Sequence, residues 1–250
     1  MNDHPLIYCN GDSYSDENYH PSLVNKTYAH VISEHLNGFV INHAIAGSCN
    51  RRIVRSSCHD LIHQRQLNPD QPIFALISLS FELRSELWNE NAKAKNSTES
   101  NFQTHTFSSR NDWRELLLND GNLGNKNENK FLSNYSHGRA YYYSPYAERI
   151  NLLCDLVMFQ SLMKQLNVEF LIFQGPVAET LEKEYLLDFF KSNLDKENFL
   201  DFENFGFCDW CHKQRFEPLD FKDRPHIGHY GPDAHRAFAE QILIPHITKP

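Results

Sequence analysis

"PIFALISLS", residues 72–80, is an apolar run interrupted only by Ser78 and closed by Ser80. It is too short for a membrane span and carries no alternation of polar and apolar positions. A strand of this kind belongs at the centre of a parallel sheet covered on both faces. Working outward, "PLIYC" (5–9) reads as a second short buried strand and "FVINHA" (39–44) as a third. "VEFLIFQGP" (168–176) is the next, and "FLDFENF" (199–205) a candidate last strand.

Helical patterns lie between these strands. "NKTYAHVISEHLN" (25–37) has Tyr28, Val31, Ile32 and Leu36 at helical spacing and stops at Gly38. "RRIVRSSCHDLIHQ" (51–64) turns Ile53, Val54, Cys58, Leu61 and Ile62 to one side. "PYAERINLLCDLVMFQSLMKQLN" (145–167) is the longest pattern, "YLLDFFKSNL" (185–194) a shorter one, and "GPDAHRAFAEQILIPHI" (231–247) opens with Pro232 at a first helical position. Strands alternating with helices predict an α/β fold with a mainly parallel sheet.

The chain of 250 residues is long enough for one full core and is read as a single domain, 1–250. From about 88 to 140 it becomes rich in Asn, Ser and Lys, with one helical piece at 112–118. That stretch is read as a polar insertion and a candidate lid. With 24 basic and 32 acidic residues the net charge is −8, which argues against general affinity for nucleic acid or anionic membrane. No apolar run reaches membrane-spanning length, and "MNDHPLIYCNGDS" has no signal-peptide pattern, so a cytoplasmic place is expected. Cys9, Cys49, Cys58, Cys154, Cys208 and Cys211 are then expected as reduced thiols.

Three segments carry candidate chemistry. "YCNGDSYSD" (8–16) places Gly11-Asp12-Ser13 at the carboxyl end of the first strand, the edge where open parallel sheets bind ligands. Ser13 there is either a turn-capping serine or a nucleophile. "NHAIAGSCNRRI" (42–53) puts Gly47 in the turn after the next strand, with Cys49 and Asn50 following. A glycine N–H in that turn suits a developing oxyanion. "DRPHIGHYGPDAHRAFAE" (223–240) supplies histidines that can take the proton of a serine, and an acid that can orient them.

Together the three segments resemble the SGNH hydrolases, also called the GDSL esterase/lipase family. "GDSY" (11–14) is similar to the nucleophile block, "NHAIAGSCN" (42–50) to the block with the oxyanion glycine, and "GHYGPDAHRAFAE" (228–240) to the block before the last helix. The resemblance implies a three-layer α/β/α sandwich with a flavodoxin-like sheet, Ser13 as nucleophile, and Ser13 and Gly47 as oxyanion donors. It also implies no metal or cofactor, and a small acyl ester as substrate.

Two features depart from the family pattern. Its third block offers an asparagine, whereas this chain reads "SLSFELRSE" (78–86), similar to a divergent branch with Ser80, Arg84 and Glu86. Ser80 or Asn50 is then the additional oxyanion donor, and Asp12 and Arg84 are candidates for substrate binding. Arg84 and Glu86 are read as a pair on a loop that either binds substrate or is structural. The family's Asp-x-x-His matches Asp223 to His226, but counting back from the final helix selects His229, three residues later. Helix-start geometry is the tighter constraint, so His229 is the preferred base, with Asp223 or His226 orienting it or the site working as a dyad. His235, a turn into the helix, is read as packing or capping.

"CDWCH" (208–212) matches a haem-attachment pattern and half of a zinc site, but the preferred reading is two reduced cysteines in a loop near the site. "YYYSPY" (141–146) is either an aromatic wall of the site or core packing. No phosphate loop or nucleic-acid motif is present. The expected function is therefore a serine hydrolase acting on a small acyl ester. An acyltransferase with the same serine and a non-catalytic binding protein on the same scaffold are the alternatives.

Overall fold

In the computed structural model the described residues are 4–80, 84–88, 102–106, 145–176, 185–200, 205–221 and 228–248, with backbone alone described for 84–88, 102–106, 145 and 185–187. The elements, in chain order, are β1 (Leu6–Asn10), α1 (Tyr28–Leu36), β2 (Phe39–Asn42), α2 (Asn50–Leu67), β3 (Ile73–Leu79), β4 (Arg84–Trp88), β5 (Phe102–Thr106), α3 (Pro145–Leu166), β6 (Glu169–Gln174), α4 (Tyr185–Lys191), α5 (Phe207–Lys213) and α6 (Pro232–Phe238). Four strands form a parallel sheet in the order β2-β1-β3-β6. Every residue of β1 and β3 is buried, the reason these strands read as continuous apolar runs.

Two apolar layers enclose that sheet. Leu6, Tyr8, Ala75 and Ile77 pack with α2 and α3 through Ile53, Leu61, Leu153 and Phe159. Ile7, Cys9, Phe74 and Leu76 pack on the opposite side with Tyr28 and Ile32 of α1, Phe207 and Trp210 of α5, and Phe238 of α6. The alternation of successive β1 residues between these layers follows from the two-residue repeat of a strand. The fold is thus α/β with helices on both faces of the sheet, as the alternating pattern predicts.

Two expectations change. Residues 84–88 are a strand rather than a loop, paired antiparallel with 102–106. Arg84 and Glu86 therefore lie on β4, opposite Thr106 and Thr104. Threonine and aromatic content favours extended backbone even inside a polar stretch. Of the strand expected at 199–205, residues 201–204 lie outside the described residues; on either side Phe199 bridges Ile172 and Gly206 bridges Gln174, both parallel. The final helix passes through a π-helical turn at Ala239–Leu243 before resuming at Ile244–Ile247. Pro245, which has no N–H to donate, accounts for that widening. The helix expected at 112–118 and most of the 88–140 insertion lie outside the described residues.

The carboxyl end of β1 is tied firmly to α2. Asn10 Nδ2 donates to Ser56 Oγ at 2.9 Å, while its Oδ1 accepts the Gly11 N–H at 2.8 Å. The buried Tyr8 hydroxyl donates to Asp60 Oδ2 at 2.9 Å, and His43 Nδ1 approaches the same oxygen at 2.7 Å. Burial pushes the Asp60 carboxyl up, but His43, His59 and the Tyr8 hydroxyl outweigh it and hold it below the ordinary carboxylate value. A depressed folded pKa stabilises the fold above the unfolded value, and that contribution is lost as pH falls through the folded one. Asp60→Asn is therefore expected to lower the urea midpoint at pH 7, with the gap to wild type closing as pH falls through the folded pKa of Asp60. A gap that stays equal across that fall would remove the carboxylate from this role.

Candidate active site

The candidate nucleophile sits on a turn whose shape is dictated locally. A Cβ at Gly11 would stand 2.5 Å from Ser15 Oγ and 2.9 Å from Ser78 Cβ, so only glycine fits there. The Asp12 carbonyl accepts the N–H groups of Ser15 and Asp16 at 3.0 Å each, and its Oδ1 accepts that of Tyr14 at 3.1 Å. Asp12 is fully buried, and its Oδ2 accepts the Ser80 hydroxyl at 2.7 Å. Asp12 thus shapes the turn and braces it against the end of β3. That burial corrects its assignment to substrate binding.

Ser13 is 5% exposed, and its Oγ lies 2.8 Å from Nε2 of His229, itself 8% exposed. His229 stands two residues before Gly231, the N-cap of α6, as the helix-start count requires. Its Nδ1 lies 2.8 Å from Asp220 Oδ2, and its backbone N–H donates to Asp220 Oδ1 at 2.8 Å. Leu219 N–H donates back to the His229 carbonyl at 2.7 Å, beside an antiparallel bridge between Pro218 and Tyr230. Tyr19 is a further partner of this carboxylate, its hydroxyl donating to Oδ2 at 2.5 Å.

Burial pushes the Asp220 carboxyl up. The His229 N–H, the Tyr19 hydroxyl and the His229 ring together outweigh it and hold the carboxyl below its ordinary value. An ionised carboxylate only accepts, so Nδ1 carries the imidazole proton and Nε2 offers its lone pair to the Ser13 hydroxyl. Serine, imidazole and carboxylate form a continuous relay.

Asp220 is the residue that the sequence reading missed. The expectation for this position is Asp223 or His226, or a dyad with no orienting group, and both residues lie outside the described residues. Asp220 fills the orienting position at Nδ1, which corrects that assignment. The separation of nine residues from His229 arises from the pairing of two irregular segments, and no short motif encodes it. The one local signal was a carboxylate set between Leu219 and Phe221. His235 is buried against Tyr28 and Phe207, and its Nδ1 accepts the Tyr28 N–H at 3.4 Å. Burial, then the neighbouring His229 and His30, drive its pKa down to about 3, so it packs as a neutral ring.

The segment after β2 is stapled to the nucleophile turn. Ile45 N–H donates to the Gly11 carbonyl at 3.1 Å, Ala46 N–H to Asp16 Oδ2 at 2.9 Å, and Asn42 Nδ2 to the Ser15 carbonyl at 2.9 Å. Among the described residues nothing accepts the backbone N–H of Ser13 or of Gly47. Gly47 has φ +84°, and a Cβ there would meet nothing within 4 Å, so backbone conformation and not space demands glycine. Gly47→Ala is expected to cost about 1 kcal/mol, or roughly 2–4 °C in thermal midpoint, and to lower turnover further than stability alone explains. A stable variant with full turnover would exclude the Gly47 N–H as a donor.

Asn50 begins α2 and makes a reciprocal pair with the Ser80 backbone. Its Oδ1 accepts the Ser80 N–H at 2.6 Å, and its Nδ2 donates to the Ser80 carbonyl at 3.0 Å. This fixes the amide, leaving the second Nδ2–H as a further donor at the same sheet edge. The Ser80 hydroxyl is committed to Asp12, which corrects its reading as an oxyanion donor. For Arg84 only the backbone is described, on β4.

Cys208 and Cys211 lie on α5, not in a loop, and both are buried free thiols. The Cys208 thiol donates to the Gly228 carbonyl at 3.5 Å, supporting the segment that carries His229, and burial pushes it up to about 12. Of "YYYSPY", Tyr146 packs against the core, and 141–144 lie outside the described residues. No helix among the described residues is long and apolar enough to cross a membrane. No family model matches this chain, and no curated protein matches it.

Proposed function

We propose that the chain is a serine hydrolase of the SGNH type that cleaves a small acyl ester through an acyl-enzyme. The observation that carries this reading is the relay from Ser13 Oγ through His229 to Asp220, with 2.8 Å at each step. Ser13 Oγ attacks the ester carbonyl while its proton passes to Nε2. The carbonyl oxygen becomes an oxyanion facing the N–H groups of Ser13 and Gly47, with Asn50 Nδ2 as the third donor. The imidazolium then gives its proton to the departing alcohol. Water, deprotonated by the same nitrogen, releases the acid and restores Ser13.

This chemistry needs no metal or redox group, and the substrate is a small molecule such as an acetylated sugar or metabolite. Neither nucleic acid nor a membrane is a partner in this reading. The six free thiols support a cytoplasmic place.

The test is labelling by a fluorophosphonate, followed by turnover of p-nitrophenyl acetate and butyrate. Labelling confined to Ser13 with turnover of the esters is expected. Labelling without net hydrolysis, relieved by an added alcohol, would make the protein an acyltransferase. No labelling of the folded protein would leave a binding role on the same scaffold.

A further inference from the structure

His229 and Asp220 both sit on irregular backbone, where side-chain direction is set less firmly than on a helix or strand. What holds the imidazole is aromatic. The Tyr14 ring stacks on it with centroids 4.8 Å apart and planes 25° apart, and the Tyr19 ring lies 3.9 Å away at 31°. Both rings thus lie against the imidazole, Tyr14 stacked on it and Tyr19 tilted over it. Both distances fall within the range in which a cation is attracted to an aromatic face.

We propose that Tyr14 and Tyr19 clamp the His229 ring, and that Tyr19 is a positioning residue that joins the acid to the base and favours the imidazolium formed during turnover. The inference rests on the serine-hydrolase reading for its catalytic consequence, although the clamp itself can be measured without activity. Tyr19 acts twice, because its hydroxyl binds Asp220 Oδ2 while its ring covers His229. Burial, with the Asp220 carboxylate beside it, holds that hydroxyl above the ordinary tyrosine value, so it remains a donor throughout the working range.

Among the described residues, groups from several elements face His229. Ser13, Tyr14 and Tyr19 belong to the segment after β1, and Asp220 and Phe221 to the paired loop. His235 contributes from α6, and the thiol of Cys208 from α5 meets the carbonyl next to His229. Of these, Asp220 and the two tyrosine rings favour the imidazolium, while a protonated His235 would oppose it. Its low pKa keeps His235 neutral.

The two functions of Tyr19 separate on substitution. Tyr19→Phe keeps the ring and removes the hydroxyl, so Asp220 holds its charge more fully for the imidazole and the His229 pKa rises. Tyr19→Leu removes the hydroxyl and the aromatic face together. Its His229 pKa is expected to fall below that of Tyr19→Phe by about 0.5 to 1.5 units. The measurement is a nuclear magnetic resonance titration of the imidazole, assigned by loss of its signal in His229→Gln. The acid limb of the kcat/KM profile should move in the same direction.

Equal His229 pKa values in the phenylalanine and leucine variants would overturn the proposal, because a merely structural ring would alter activity without separating them. A pKa pattern as expected in a protein that takes no fluorophosphonate would uphold the clamp and remove the hydrolase reading. The two failures are therefore distinct.

Discussion

Ser13→Ala lowers turnover of p-nitrophenyl acetate by about 10⁴- to 10⁶-fold, His229→Ala falls to the same floor, and the double variant falls no further. The expectation follows from the relay as one unit. Once the nucleophile is gone, a base 2.8 Å away has no proton to take, and once the base is gone the hydroxyl keeps its proton. Stability is nearly unchanged in Ser13→Ala, since a single oxygen at a slightly open position is removed. His226→Ala keeps full turnover, because Nε2 of His229 already occupies the position that a base must hold. Additive losses in the double variant would mean that serine and histidine act separately. A loss confined to His226→Ala would return the base to the Asp-x-x-His match.

The parts of this arrangement that were legible have local signatures. β3 announces itself because both of its faces are covered, so 73–79 is apolar but for one buried serine, Ser78. Ser13, Gly47 and His229 stand at the ends of elements, where a tight turn, a positive φ and a helix start each impose a recognisable residue. What escaped depends on pairing between distant or irregular segments. β4 and β5 come together across a polar stretch with little periodicity, so "FELRSE" reads as a loop until its partner is known. Ser80 and Asp12 were both read as facing the substrate because spacing alone does not reveal that one carboxylate and one hydroxyl satisfy each other below the site.

Asp220→Asn is expected to lower kcat by about 10⁴-fold, while Asp223→Asn leaves it near wild type. The size of the effect comes from a forced tautomer and not from loss of charge alone. The His229 backbone N–H needs an acceptor at Asp220 Oδ1, and in the variant the amide oxygen is the only acceptor left. The amide nitrogen must then face Nδ1, where it donates and requires a lone pair from the ring. The imidazole responds by carrying its proton on Nε2, the nitrogen that has to accept from Ser13, so the relay is reversed at its centre. The acid limb of wild-type activity should belong to His229, because the carboxyl of Asp220 is held below its ordinary value and stays ionised while the imidazole titrates. The same depression means that Asp220 stabilises the fold above the unfolded carboxylate pKa and ceases to as pH falls through the folded one. Urea midpoints of wild type and Asp220→Asn should therefore converge at low pH, whereas the difference in kcat persists wherever His229 is neutral. If Asp223→Asn is the inactive variant and Asp220→Asn keeps its turnover, the letters Asp-x-x-His prevail over the geometry and the relay must be redrawn through residue 223.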